Sequence, residues 1–269
     1  MIAEFVIFGV VGIITGTMAG LFGVGGGLII VPVMHFIMTS YGLEESLAMP
    51  LSIGTALACI IVTSSSAAYS HYQKGSLSVK RFSQLTVGML VGAGFGASFV
   101  INVDTEILKI MLAIFVSIMA FRLFIDIKMP KVRKEPNFLF FNYSGGLIGY
   151  VSWIFGIGGG VLSVPLLKIS GMEMKKAVGT GAACAFPIAL LSSTSYLLLG
   201  LNVVGLPEYS IGFIYLPGVL GIVIFSFFFA KLGTKLAHKL NDNFLQFIFA
   251  AHLIPVAIYW FLKWLNIPK

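Results

Sequence analysis

Three adjacent glycines inside an apolar run set the strongest constraint on this chain. Residues 22–27 read FGVGGG and sit in a stretch without charge; the phrase returns as FGIGGG at residues 155–160. The two copies align at one constant offset. It pairs Phe22 with Phe155, Gly23 with Gly156, Gly25 with Gly158, Gly26 with Gly159, and Gly27 with Gly160. It continues to Val31/Val164 and Pro32/Pro165, and upstream to Gly12/Gly145 and Gly16/Gly149. Glycine is costly in a helix interior and readily takes positive φ, so each triplet breaks a helix. Irregular backbone at membrane depth is tolerated only where protein or a cavity surrounds it. Matched broken helices in two halves of a membrane chain point to a transport site.

Composition makes the membrane setting firm. Hydrophobic residues are 58% of the chain and charged residues 10%. Mean hydropathy is +1.01. Apolar runs repeat along the whole 269 residues and leave no stretch for a separate soluble domain. The first residues, MIAEFVIFGVV, lack a basic n-region, so the first run is expected to stay in the mature protein. The net charge of +7 is no nucleic-acid signature, because the basic residues fall in short connections between spans. No HExxH, GxSxG or P-loop pattern occurs, so neither an enzyme nor an ATP-driven pump is expected. No cofactor or metal is expected either; Cys59 and Cys184 lie in apolar runs without zinc-ligand spacing.

Eight apolar elements follow: residues 5–38, 47–72, 82–101, 107–125, 138–169, 177–199, 211–230 and 244–265. Six suit a single crossing of ~20 residues. The first and fifth are too long, and both hold the glycine break. Each is read as a hairpin of half-helices, with a pair of short crossings as the alternative. Charge favours hairpins. With both elements re-entrant and the second connection in the cytoplasm, all but Lys109, Lys263 and Lys269 of the 17 basic residues lie inside. Eight plain spans would carry Lys168, Lys175, Lys176, Lys231, Lys235 and Lys239 outside. A hairpin plus three spans crosses an odd number of times, so the second half enters from the opposite face. The expected architecture is an all-α integral membrane protein of two inverted repeats, each a glycine-broken hairpin plus three transmembrane helices. Residues 1–127 form the first repeat, 128–136 (KMPKVRKEP) a cytoplasmic linker, and 137–269 the second repeat.

The glycine breaks are the first candidate site. Their backbone offers N–H groups without side-chain obstruction, and a half-helix starts just after each. Free amides and the helix dipole both favour an anion there. Gly23, Gly25, Gly26, Gly27, Gly156, Gly158, Gly159 and Gly160 are therefore candidate substrate ligands. Gly12–Gly16–Gly20 and Gly88–Gly92–Gly96 read instead as small packing faces. A second motif is paired: GTALAC at 54–59 and GTGAAC at 179–184. Thr55 and Cys59, and Thr180 and Cys184, form helix stripes that would offer a hydroxyl and a thiol per half if they face the breaks. Otherwise the threonines bond their own backbone and the cysteines are small buried hydrophobes. A looser match sets Ser65, Ser66 and Tyr69 beside Ser192, Ser193 and Tyr196. His252 lies mid-span and is a candidate proton carrier, or a neutral imidazole bonded to a carbonyl.

These phrases, each followed by a GT-containing helix of small residues, resemble the TauE/SafE sulfite exporter family over nearly the whole chain. Trp153 departs from the pattern by standing where the first half has Gly20. The resemblance implies a multi-pass plasma-membrane transporter for a small sulfur-containing anion such as sulfite or a sulfonate. The alternatives are transport of another solute, or a membrane-embedded sulfur-transfer enzyme using Cys59 or Cys184. The sequence leaves the oligomeric state and direction open.

Overall fold

The computed structural model describes residues 2–100, 105–124 and 137–265. The expected linker, 128–136, lies outside the described residues. Among the described residues ten helices follow in order: α1 (Ile2–Phe22), α2 (Gly27–Ser40), α3 (Glu45–Gln73), α4 (Val79–Val100), α5 (Thr105–Phe124), α6 (Phe138–Phe155), α7 (Gly160–Ile169), α8 (Met174–Gly200), α9 (Leu216–Lys239) and α10 (Asp242–Trp264). A two-residue antiparallel pair, β1 (Ser210–Ile211) with β2 (Ile214–Tyr215), leads into α9. Helices α1, α3, α6, α8, α9 and α10 are long and apolar enough to cross a membrane. This is an all-helical, multi-pass membrane architecture.

Both glycine phrases break the helix where expected, but the arms are unequal. The apolar run ahead of the first break is long enough for a 21-residue helix, α1, whereas α2 has 14 residues. The second break separates the 18-residue α6 from the 10-residue α7. At 1.5 Å per residue α1 extends ~31 Å and α7 only ~15 Å. The first pair turns back on itself: Tyr41, just past α2, donates its hydroxyl to Glu4 near the start of α1 at 2.9 Å.

Helix packing repeats between the halves. Helix α1 packs on α9 as α6 packs on α4, α3 packs on α9 as α8 packs on α4, and α2 packs on α3 as α7 packs on α8. Helices α3 and α8 also pack on each other, as do α5 and α10. Exchanging the halves maps this set onto itself. The small-residue rows explain the tightest crossings. A Cβ at Gly12, Gly16 or Gly20 would collide with the backbone of Ile222, Ser226 or Ala230 on α9. Gly145 and Gly149 meet Leu85 and Met89 on α4 in the same way. In both cases rising residue numbers match, so these pairs run parallel. Helices α3 and α8 run antiparallel: Gly54 lies against Tyr196, and Gly179 against His71.

The α4–α6 crossing yields a stability prediction. A Cβ at Gly92 would strike the backbone of Gly146, whereas one at Gly94 meets open space. Gly92→Ala is expected to destabilise by ~1–3 kcal/mol through overpacking. Gly94→Ala should be neutral or stabilising by up to ~1 kcal/mol. Thermal unfolding of the two purified variants in one detergent checks the difference in sign.

Candidate substrate-binding site

Both half-helices begin at glycines in the left-handed region. The N-cap of α2 is Gly26 (φ 91°, ψ −5°) and that of α7 is Gly159 (φ 74°, ψ −24°); neither has a side-chain cap. Gly23, Gly25, Gly156 and Gly158 also have positive φ. The ladder of α2 starts with Ile29 and Ile30 donating to Gly26 O, each at 3.1 Å. That of α7 starts with Leu162 and Ser163 donating to Gly159 O at 3.3 and 3.0 Å. The first amides of each helix precede this ladder; in α7 that of Gly160 donates to Gly158 O at 2.9 Å.

The two breaks meet each other. A Cβ at Gly27 would collide with Gly156 O, and a Cβ at Gly160 with Gly23 O. Cβ atoms at Gly25 and Gly158 would both press on Ile60 Cγ2, at 2.8 and 2.9 Å, with Ala185 Cβ next at 3.7 and 3.6 Å. Residues 23–27 and 156–160 are all buried. The expected glycine ligands are thus gathered at one place, where α3 and α8 also cross. Sequence reasoning missed Thr63, whose hydroxyl donates to Gly25 O at 2.7 Å. Its place one turn beyond Cys59 on α3 was the only available signal.

The GT motifs sit on the same two helices but engage loops. Gly54 is pressed by Phe213 O, and the Thr55 hydroxyl accepts from the Tyr215 N–H at 3.0 Å. Gly179 is pressed by Ser76 O, and the Thr180 hydroxyl accepts from the Ser78 N–H at 3.0 Å. Each half therefore grips the loop entering a helix of the other half: Thr55 steadies the approach to α9, and Thr180 the approach to α4. Thr180 also donates to Lys176 O at 2.7 Å. Thr180→Val keeps the shape and deletes the acceptor for a part-buried amide. A loss of ~1–3 kcal/mol is expected, read as a lower unfolding midpoint.

Cys59 and Cys184 are buried free thiols, each one residue before Ile60 or Ala185. His252 is on α10, three residues past Phe249, which stacks on Phe22 at the mouth of the first break with centroids 4.7 Å apart. Its Nε2 is buried without a partner. The looser serine match does not describe equivalent places. The reciprocal contacts of Gly54 and Gly179 make His71 the counterpart of Tyr196. Ser65 bonds Ile61 O within α3, and Ser66 ties α3 to Phe227 O on α9 at 2.7 Å.

That counterpart pair explains the Trp153 departure. In the first half His71 Nε2 bonds Gly20 O at 2.9 Å. In the second half Trp153 replaces the glycine and stacks on Tyr196, with centroids 4.8 Å apart and planes at 27°. Both rings are buried.

A polar network that the sequence did not reveal lies at the far end of α2. Buried His35 contacts Tyr259 Oη through Nδ1 at 3.1 Å and Glu45 Oε2 through Nε2 at 2.7 Å. Lys109, only 1% exposed, bonds the same Glu45 oxygen at 3.2 Å and Glu106 at 2.8 Å. Four helices, α2, α3, α5 and α10, contribute to it.

Fold and site together define a multi-pass helical membrane protein whose buried centre is two interlocked, glycine-broken helices. The chain belongs to the family described as sulfite exporter TauE/SafE, whose model matches residues 8–260. It is similar to a "Probable membrane transporter protein" of Haemophilus influenzae, 36% identical over 254 residues, covering 94% of this chain and 96% of the relative. A second "Probable membrane transporter protein", from Methanocaldococcus jannaschii, is 27% identical over 94% of both chains. A shorter match, 38% over 88 residues, covers 32% of this chain and 19% of a "Sulfite exporter TauE/SafE family protein 5" of Arabidopsis thaliana. No solved structure matches. The family and its named relatives mark this chain as a membrane transporter.

Proposed function

We propose that the chain is a secondary transporter of the plasma membrane that exports a small sulfur-containing anion, sulfite or a sulfonate, by alternating access. The observation carrying the reading is the reciprocal contact of the breaks, Gly27 on Gly156 and Gly160 on Gly23. It brings two helix N-termini without side-chain caps to one buried point, and such ends favour an anion. The antiparallel packing of α3 on α8 and the return of α2 towards Glu4 support an inverted pair of repeats around that point. Thr55 and Thr180 hold the loops that frame the site, Cys59 and Cys184 line the helices beside it, and His252 is the candidate for proton coupling.

The sulfur-transfer alternative lacks support: both thiols are buried within helices, and the relatives are named as probable membrane transporters. The function is tested by counterflow in proteoliposomes. Vesicles loaded with unlabelled sulfite or sulfonate should accumulate the labelled anion transiently, and protein-free vesicles should not. Accumulation of a carboxylate or a cation, with none of a sulfur oxyanion, would move the assignment to another solute.

A further inference from the structure

Among the buried polar atoms without partners in the described residues, four belong to α6 and α8 beside the second break. Ser152 Oγ, Trp153 Nε1, Ser192 Oγ and Tyr196 Oη have no hydrogen-bond partner. Their residues are at most 1% exposed. Each group carries a proton it can donate, and Trp153 has no acceptor at all. Leaving such a group buried and unpaired destabilises the fold, so four together are a standing destabilisation.

Their placement is local. Ser152 and Trp153 close α6 just before the second break. Ser152 Oγ lies 3.5 Å from where a Gly159 Cβ would sit. Ile188 Cδ1 touches that same position from α8. Ser192 and Tyr196 follow Ile188 at successive turns on one face of α8. Tyr196 closes the ring by stacking on Trp153. The first half has no such set. At the matching places stand Ala19, Gly20, Ala67 and His71; His71 Nε2 is bonded to Gly20 O, which leaves Nδ1 as the one unpartnered polar side-chain atom of these four described residues.

We infer that Ser152, Trp153, Ser192 and Tyr196 form a substrate subsite of neutral donors beside the second break, for a compact anion with three or more acceptor oxygens. The inference rests on the anion reading above and adds that the anion is held off-centre, by the second half. Four donors suit a sulfite or sulfonate headgroup, whose oxygens accept several bonds at once, better than a carboxylate with two. No lysine or arginine belongs to the set, so release on the far side of the membrane breaks no salt bridge. Trp153 serves twice, since its N–H donates and its ring holds Tyr196 in place.

The test uses full-length protein in detergent micelles, titrated calorimetrically with sulfite, thiosulfate, methanesulfonate and acetate. Trp153→Phe keeps the stacked ring and deletes the N–H; Ser192→Ala and Tyr196→Phe each delete one hydroxyl. Each variant is expected to weaken binding of the sulfur oxyanions ~3–10-fold, the effect of one lost donor. Without ligand each should melt at or above the wild-type temperature, because a buried orphan has been removed. Wild-type affinity in all three variants would overturn the subsite and leave the anion reading standing. A lower melting temperature with unchanged affinity would also overturn it, by making the groups structural. Wild-type protein that binds none of the sulfur anions would overturn the anion reading and the subsite together.

Discussion

Gly159→Val is expected to abolish anion binding and counterflow while leaving folded, membrane-inserted protein. Gly159 caps α7 at φ 74°. A β-branched residue is strained there by more than ~1–2 kcal/mol, because its Cβ crowds the backbone. The added methyls also enter the space where Ile188 already crowds the Cβ position and Ser152 lies in contact with it. Relief requires Gly159 to leave the left-handed region, which rotates the amides at the start of α7 away from their present direction. Transport should fall by more than ~10-fold at matched expression, since a displaced donor set costs at least the ~1.4 kcal/mol that each factor of ten represents. Equal counterflow by wild type and Gly159→Val would remove the break from the site.

The second large effect is expected from Glu45→Ala. One carboxylate there serves both His35 and Lys109. Its removal leaves the imidazole without its Nε2 partner and a buried ammonium with only Glu106 among the described residues. Breaking a fully buried pair costs ~3–5 kcal/mol. Glu45 is 41% exposed at its side chain, so solvent screening brings the expected loss to ~1–3 kcal/mol. Lys109→Met, which removes the buried charge and keeps the stem's volume, should cost less. Unfolding of both variants in detergent, at a pH where wild type is most stable, checks the order.

The sequence carried the centre of the fold because the feature there is a backbone requirement. Only glycine suits positive φ at Gly26 and Gly159 together with backbone contact at Gly27 and Gly160, so the same letters recur in both halves. Trp153 was legible as a departure for the same reason. Its partner was not, since Tyr196 corresponds to His71 and no residue identity links them. The GT motifs were legible as a repeat, whereas their work was not. What each threonine holds is a loop amide more than a hundred residues away. The His35–Glu45–Lys109 network was illegible because four helices meet to build it. In the sequence Lys109 is one more basic residue near a helix start. Arm lengths were the other gap: periodicity locates a break, but it does not reveal that α1 runs 21 residues and α7 only 10.

In the proposed transporter two converging helix N-termini bind a small oxyanion without a fixed cation. Calorimetric titration of the wild-type protein tests it most directly, with sulfite, thiosulfate, a sulfonate, a carboxylate of similar size and sodium chloride alone. Saturable binding of the sulfur oxyanions is expected, with weaker binding of the carboxylate and no saturable heat from sodium. Saturable binding of sodium with no response to any oxyanion would contradict it.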